Sequence, residues 1–200
     1  NNTTISYGYS SEDGGGMYVV GSALVQGSTF EYNYADDDGG AIEVDEGGSL
    51  IIDNSLISAN DAGSLGGGIS AESGATLTIR NGSVISGNYA FGGGGVATDS
   101  AGLVTIDDSE ISNNDAEVYG GGMATYDTEI IIQIGTVISG NSGPFGGGAD
   151  FYHSDVTMTD STVSGNYAPA RGGGLYLAGS LMTIERSTIV DNYTGSYENY

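Results

Sequence analysis

The side chains able to do chemistry in this 200-residue chain are few and mostly acidic: 26 Asp and Glu, three Arg, one His, no Lys and no Cys. Acid–base work on a sugar needs two carboxylates at a set separation, or a base of suitable pKa beside the reacting carbon. Arg80, Arg171 and Arg186 stand at different phases of the repeat described below, and His153 has no partner that spacing can name. The densest acidic group is Asp36, Asp37 and Asp38, joined by Glu12 and Asp13 one repeat earlier. Like charges that close favour a bound cation. Calcium accepts such oxygen-rich sites, although neither a twelve-residue loop nor a glycine-aspartate nonapeptide is present. Calcium at Asp13, Asp36, Asp37 and Asp38 is therefore the one cofactor expectation, against a solvated acidic corner as the plainer reading.

The formal net charge of −23 repels nucleic-acid phosphate and anionic lipid alike, so partners that demand a basic surface are excluded. Without cysteine there is neither a disulfide framework nor a thiolate metal site. The apolar runs fall far short of the roughly 20 residues of a membrane helix. No charged-then-apolar leader opens the chain, and a mature or excised soluble segment is expected.

Those residues must be positioned by a repeat. A glycine pair, a third Gly or Ala and an apolar residue recur at Gly14, Gly39, Gly66, Gly93, Gly120, Gly146 and Gly172, spaced 25 to 27 residues apart. Each cluster is followed by Ser or Thr, one residue, an aliphatic or Phe, two residues and then Asn. These motifs end at Asn33, Asn60, Asn88, Asn114, Asn141, Asn166 and Asn192. Between the two signatures lies a third apolar segment of alternating pattern, such as Leu77 to Ile79 or Val104 to Ile106. Period-two patterning with β-branched residues argues strands, and no 3.6-residue stripe argues helix.

Three short strands per repeat cannot bury their apolar sides alone, but stacked parallel coils can. The expected fold is all-β: a right-handed parallel β-helix of about seven coils, three strands to a coil, in a single domain over residues 1–200. Phe30, Ile57, Ile85, Ile111, Ile138, Val163 and Ile189 would form one interior rank. The seven asparagines would form a structural ladder, their amides bonding along the stack. The glycines lack a following Lys-Ser/Thr or helix, so they read as backbone devices and not as a phosphate loop. Thr78, Thr105, Thr157 and Thr183 are ordinary β-formers. Tyr34, Tyr89, Tyr167 and Tyr193 follow ladder asparagines and would stack on each other or on a sugar or protein.

Gly39-Gly40-Ala41-Ile42 and Phe30-Glu31-Tyr32-Asn33 resemble the paired GGA(I/L/V) and FxxN repeats of chlamydial polymorphic outer-membrane proteins. The wider pattern, over nearly the whole chain, is similar to the right-handed parallel β-helices of bacterial surface proteins. That resemblance implies an extracellular or surface-displayed structural rod, adhesive stalk or filament subunit without enzymatic activity. Its partners would be itself, head to tail or laterally, or a host or matrix surface. No cap is legible at either end, so Ile5, Tyr7, Tyr193, Tyr197 and Tyr200 are the candidate self-association residues. The alternative is a β-helix that binds or cleaves polysaccharide. Relatives of pectate lyase use Arg or Lys as base near acid-bound calcium, equipment that is sparse here.

Overall fold

The computed structural model of the chain describes residues 2–195. Every described strand is parallel to its neighbours, and no helix occurs among the described residues. The strands form coils that stack in register, about 26 residues to a turn, seven turns in all. At the usual inter-strand spacing the stack is roughly 35 Å long.

Three of its faces are the expected sheets. The ladder sheet holds eight strands from Thr4–Ser6 to Thr188–Val190, and every strand but the first is followed two residues on by a ladder asparagine, the first by Gly8. The glycine-side sheet runs over seven strands from Met17–Val19 to Leu175–Ala178. The middle sheet runs over seven more, from Ser22–Gln26 to Leu181–Glu185. A fourth, short sheet joins them, built from segments such as Tyr34–Ala35 and Asp61–Ala62 directly after each ladder asparagine. Most of its segments have only two residues and carry no visible alternation, although Tyr89–Gly92 and Asp115–Tyr119 are longer, so this sheet is formed chiefly by the stacking. It breaks at Gly143-Pro144, where proline has no N–H to give, and isolated bridges remain there, from Ser142 to Asp115 and Tyr167 and from Phe145 to Tyr119 and Arg171.

Register follows the repeat. Ile5, Phe30, Ile57, Ile85, Ile111, Ile138, Val163 and Ile189 pair one above the next, the rank foreseen from the sequence extended by one residue. The interior is almost wholly aliphatic, and its residues are fully buried in all but the terminal coils. One coil departs in size: Ala149 replaces the larger Met123 of the coil before, while Phe151 replaces the smaller Thr125 beside it. The two changes offset each other in volume, which a close-packed core requires.

The asparagines form the expected ladder. Each Nδ2 donates to the Oδ1 of the asparagine one coil on, at 2.9–3.0 Å from Asn33 to Asn192. Each Oδ1 also accepts the backbone N–H of the asparagine one coil back, at 2.9–3.0 Å. The second Nδ2 hydrogen goes to a ladder-sheet carbonyl, as from Asn114 to Ile85 at 3.0 Å. Asn33 through Asn166 are buried, so these bonds satisfy groups that water cannot reach. The residue before each asparagine takes positive φ, with glycine at Gly87 and non-glycine residues at Tyr32 (56°) and Ala59 (54°). That left-handed residue turns the chain and sends the amide inward.

The glycine clusters complete the corner. Gly93 has φ of 63°, and a Cβ on Gly94 would collide with the Asp115 carbonyl. A Cβ on Gly95 would come within 2.9 Å of Asn114 Nδ2, so the third glycine makes room for the ladder itself. The same contact recurs at Gly68 with Asn88, Gly122 with Asn141 and Gly148 with Asn166. Replacing Asn114 by Ala strips the acceptor from the Asn88 N–H and Nδ2 and the donor from Ile85 O and Asn141 Oδ1. Orphaning several buried groups at once should cost at least about 3 kcal/mol in urea unfolding; a loss below about 1 kcal/mol would show that the ladder contributes little.

Candidate functional site

The outer face of the glycine-side sheet is a trough made of three ranks. Its floor is Tyr18, Glu43, Ser70, Ala97, Ala124, Asp150 and Tyr176, which pair in that order. Strand alternation points these residues outward, and small Ser70, Ala97 and Ala124 make the middle deep. One wall is the residue preceding each glycine cluster. Its carbonyl accepts the N–H of the first glycine one coil back, as in Gly93 to Tyr119 (2.8 Å), Gly120 to Phe145 (2.7 Å) and Gly146 to Arg171 (3.0 Å). The opposite wall carries Asp99, Tyr126, Tyr152 and Ala178, again one per coil.

The trough is divided by chemistry. Towards the N-terminus it is acidic, with Asp13, Asp38, Glu43, Asp45 and Glu72 near Tyr18 and Ser70. Towards the C-terminus it is aromatic and encloses about 750 Å³ between Tyr119, Phe145, Tyr126, Tyr152 and Tyr176, with Asp99, Asp150 and Arg171 also lining it. On one wall Tyr119 and Phe145 stack at 6.1 Å between centroids, and Phe145 meets Tyr176 at 5.7 Å. On the other, Tyr126 and Tyr152 stack nearly parallel at 5.5 Å. Neighbouring coils bring these rings face to face because identical offsets in the repeat are only about 4.8 Å apart.

Two carboxyls in the floor are out of the ordinary. Glu43 is 1 % exposed and neither oxygen has a hydrogen-bond partner. Burial pushes it up to about 8, aided by the charges of Asp38, Glu72 and Asp13, while Ser70 on the next coil acts in the opposite direction without closing a bond. Asp150 is 6 % exposed with Oδ1 unpartnered, and burial alone raises it to about 6. Tyr18, beside Glu43 in the rank, is pushed up to about 12, by burial first and then by Asp45.

The residues expected to carry function are dispersed. Asp38 caps backbone, accepting the Leu65 N–H at 2.7 Å, and its own N–H donates to Asp13 Oδ1 at 3.2 Å. Asp36 instead accepts the Tyr9 hydroxyl at 2.9 Å, and Asp37 is exposed. Among the described residues no three His, Cys, Asp or Glu converge to hold a metal ion. Ile5 is half-buried at one end of the stack, and Tyr7 is exposed and stacks on Tyr32 at 5.4 Å. Tyr193 lies exposed at the other end; Tyr197 and Tyr200 lie outside the described residues. The Tyr rank after the asparagines is interrupted: Tyr34 stacks on Tyr9 at 5.9 Å, but Asp61 separates it from Tyr89. His153 packs edge-on against Tyr152 at 4.5 Å. Arg80 and Arg186 are engaged with Asp53 and Asp160, both at 2.8 Å.

Motif reading misses the trough, since Tyr119, Tyr126, Phe145 and Tyr152 belong to no motif. Aligning the repeats on the first glycine exposes it: the preceding position reads Asp13, Asp38, Leu65, Gly92, Tyr119, Phe145, Arg171. A family model described as a right handed beta helix region matches residues 15–192. No curated protein and no solved structure matches the chain.

The Glu43 carboxyl has a folded pKa raised above its ordinary 4.5. The native state therefore holds the proton more tightly, and the stability this confers is full below about 4.5 and lost as pH rises towards about 8. Glu43→Gln keeps the neutral shape at every pH. Its thermal midpoint relative to the parent should climb across that window; a constant difference would show that Glu43 does not titrate there.

Proposed function

Because the chain belongs to the right-handed β-helix family and its coils line up an aromatic-walled trough, we propose that it is a non-enzymatic, extracellular or surface-displayed scaffold that binds a carbohydrate chain along that trough. The observation that carries this reading is the pair of facing aromatic walls, repeated at the coil spacing over a floor of Ala97, Ala124 and Asp150. Sugar rings lay their C–H faces on aromatic rings and turn hydroxyls to polar groups. An extended pyranose polymer rises per sugar by a distance close to the coil spacing, so successive rings meet successive coils.

Binding without turnover fits the two unpartnered carboxyls of the floor. Glu43 and Asp150 lie in one rank four coils apart, about 19 Å at the sheet spacing. Glycosidases hold their pair at about 5–9.5 Å. Extracellular placement draws on the acidic surface, the absence of lysine and the resemblance to surface β-helices. A glycan panel with and without calcium, read for both retention and cleavage, tests the reading. Tyr126→Ala with Tyr152→Ala should weaken retention roughly tenfold with only a small fall in the unfolding midpoint, since both rings are about half exposed and pack mainly on each other. Cleavage of any glycan would refute the non-enzymatic assignment, and retention unaffected by the double substitution would move binding away from the trough.

A further inference from the structure

The aromatic half of the trough has a feature that a hydrocarbon-faced sugar site does not need. At its floor lies a carboxyl, Asp150, more than nine-tenths buried, with Oδ1 bonded to nothing and the side chain lining the cavity. Rings rise around it on both sides: Tyr119 and Phe145 on one wall, Tyr126 and Tyr152 on the other, with Tyr176 next in the floor. A buried carboxylate without a partner is costly, and a ligand that supplies a charged donor recovers that cost. Aromatic faces carry negative potential and attract cations, most strongly where water is excluded.

The surrounding charges favour a positive ligand. Asp99 lines the same cavity, Glu72, Asp45 and Glu43 continue the trough, and the chain as a whole carries −23. Among the described residues Arg171 is the one cation lining the slot; it is exposed, one coil beyond Phe145, and no ion pair joins it to Asp150. A uronic-acid polymer would set its carboxylates against Asp150 and Asp99. A neutral sugar would offer Oδ1 a hydroxyl but leave the field of the acids and rings unused.

We propose that the carbohydrate bound in this trough is an amino-sugar polymer, whose protonated ammonium group is held by the Asp150 carboxylate inside the aromatic walls. This rests on the carbohydrate-binding reading above and adds the chemical class of the sugar. The ammonium supplies three donors, one of which reaches Oδ1, and the sugar ring stacks on Tyr126 and Tyr152.

Titration calorimetry on the full chain decides it, with glucosamine hexamer, N-acetylglucosamine hexamer, cellohexaose and galacturonate hexamer as probes, at a pH where the amine is protonated and the Asp150 carboxyl, raised to about 6, is ionised. The glucosamine hexamer should bind about tenfold or more tightly than the acetylated or neutral hexamers, and the galacturonate hexamer not at all. Asp150→Asn, close to isosteric, should erase that preference while leaving binding at the neutral level, and Arg171→Ala should leave the preference intact. Should Asp150→Asn fail to fold, Tyr126→Ala asks the same question through an exposed ring: its loss must be larger for the glucosamine hexamer than for cellohexaose. Equal or tighter binding of a neutral hexamer, or a preference that survives Asp150→Asn, would overturn the amino-sugar assignment and leave the carbohydrate reading standing. A lysine hexapeptide bound as tightly as the glucosamine hexamer would also overturn it, by reducing the preference to net charge. No binding of any hexamer would overturn both.

Discussion

The structure depends on the demand that buried amides be satisfied by one another. A polar side chain inside a stack of aliphatic ranks is tolerated only if every donor and acceptor is used, and the asparagine column achieves this by passing two bonds to each coil from the next. That requirement sets the register. A coil displaced by one residue would put its amide beyond reach and turn its whole apolar set outward. It also favours a small neighbour, since Gly95 and its equivalents, with Ala41 in one coil, leave the space in which the amide sits. The sheets, the corner and the trough above the glycine-side sheet all inherit their alignment from this column.

The trough follows from alignment alone. Once coils are in register, any position in the repeat becomes a line on the surface, and the side chains there can vary without disturbing the core. The floor passes from Glu43 through Ser70, Ala97 and Ala124 to Asp150 while the inward residues beside them stay apolar or hydrogen-bonded. Interior and exterior are thus almost independent, which is how one architecture carries an acidic stretch and an aromatic stretch within a few coils. Raised carboxyls at Glu43 and Asp150 come from the same arrangement: neighbouring walls shield an outward-facing group from water without offering it a donor.

The repeat, the strands, the interior rank and the asparagine ladder were legible because each is written at fixed offsets in residue types with one dominant physical role. Asparagine before a turn and paired glycines have few other uses. The fourth strand was not legible, because two residues such as Asp61 and Ala62 show no alternation. The trough was hidden for a different reason. Tyr119 precedes a glycine and Tyr126 ends a strand, seven residues apart, and nothing local relates them. They face each other only after the chain has turned a corner between them. The acidic run at Asp36 to Asp38 is shared out by the turn: Asp36 accepts from a tyrosine, Asp38 accepts a backbone N–H, and the Asp38 N–H meets Asp13.

A molecule made of near-identical laps faces a hazard that irregular folds escape: any lap will sit on any other, so a segment skipped during folding leaves a structure almost as comfortable as the right one. The exchange of size between Ala149 and Phe151 works against that degeneracy, because a lap carrying the large ring at this position packs less well on storeys that put Val19 or Val44 there than on one that puts Thr125 there.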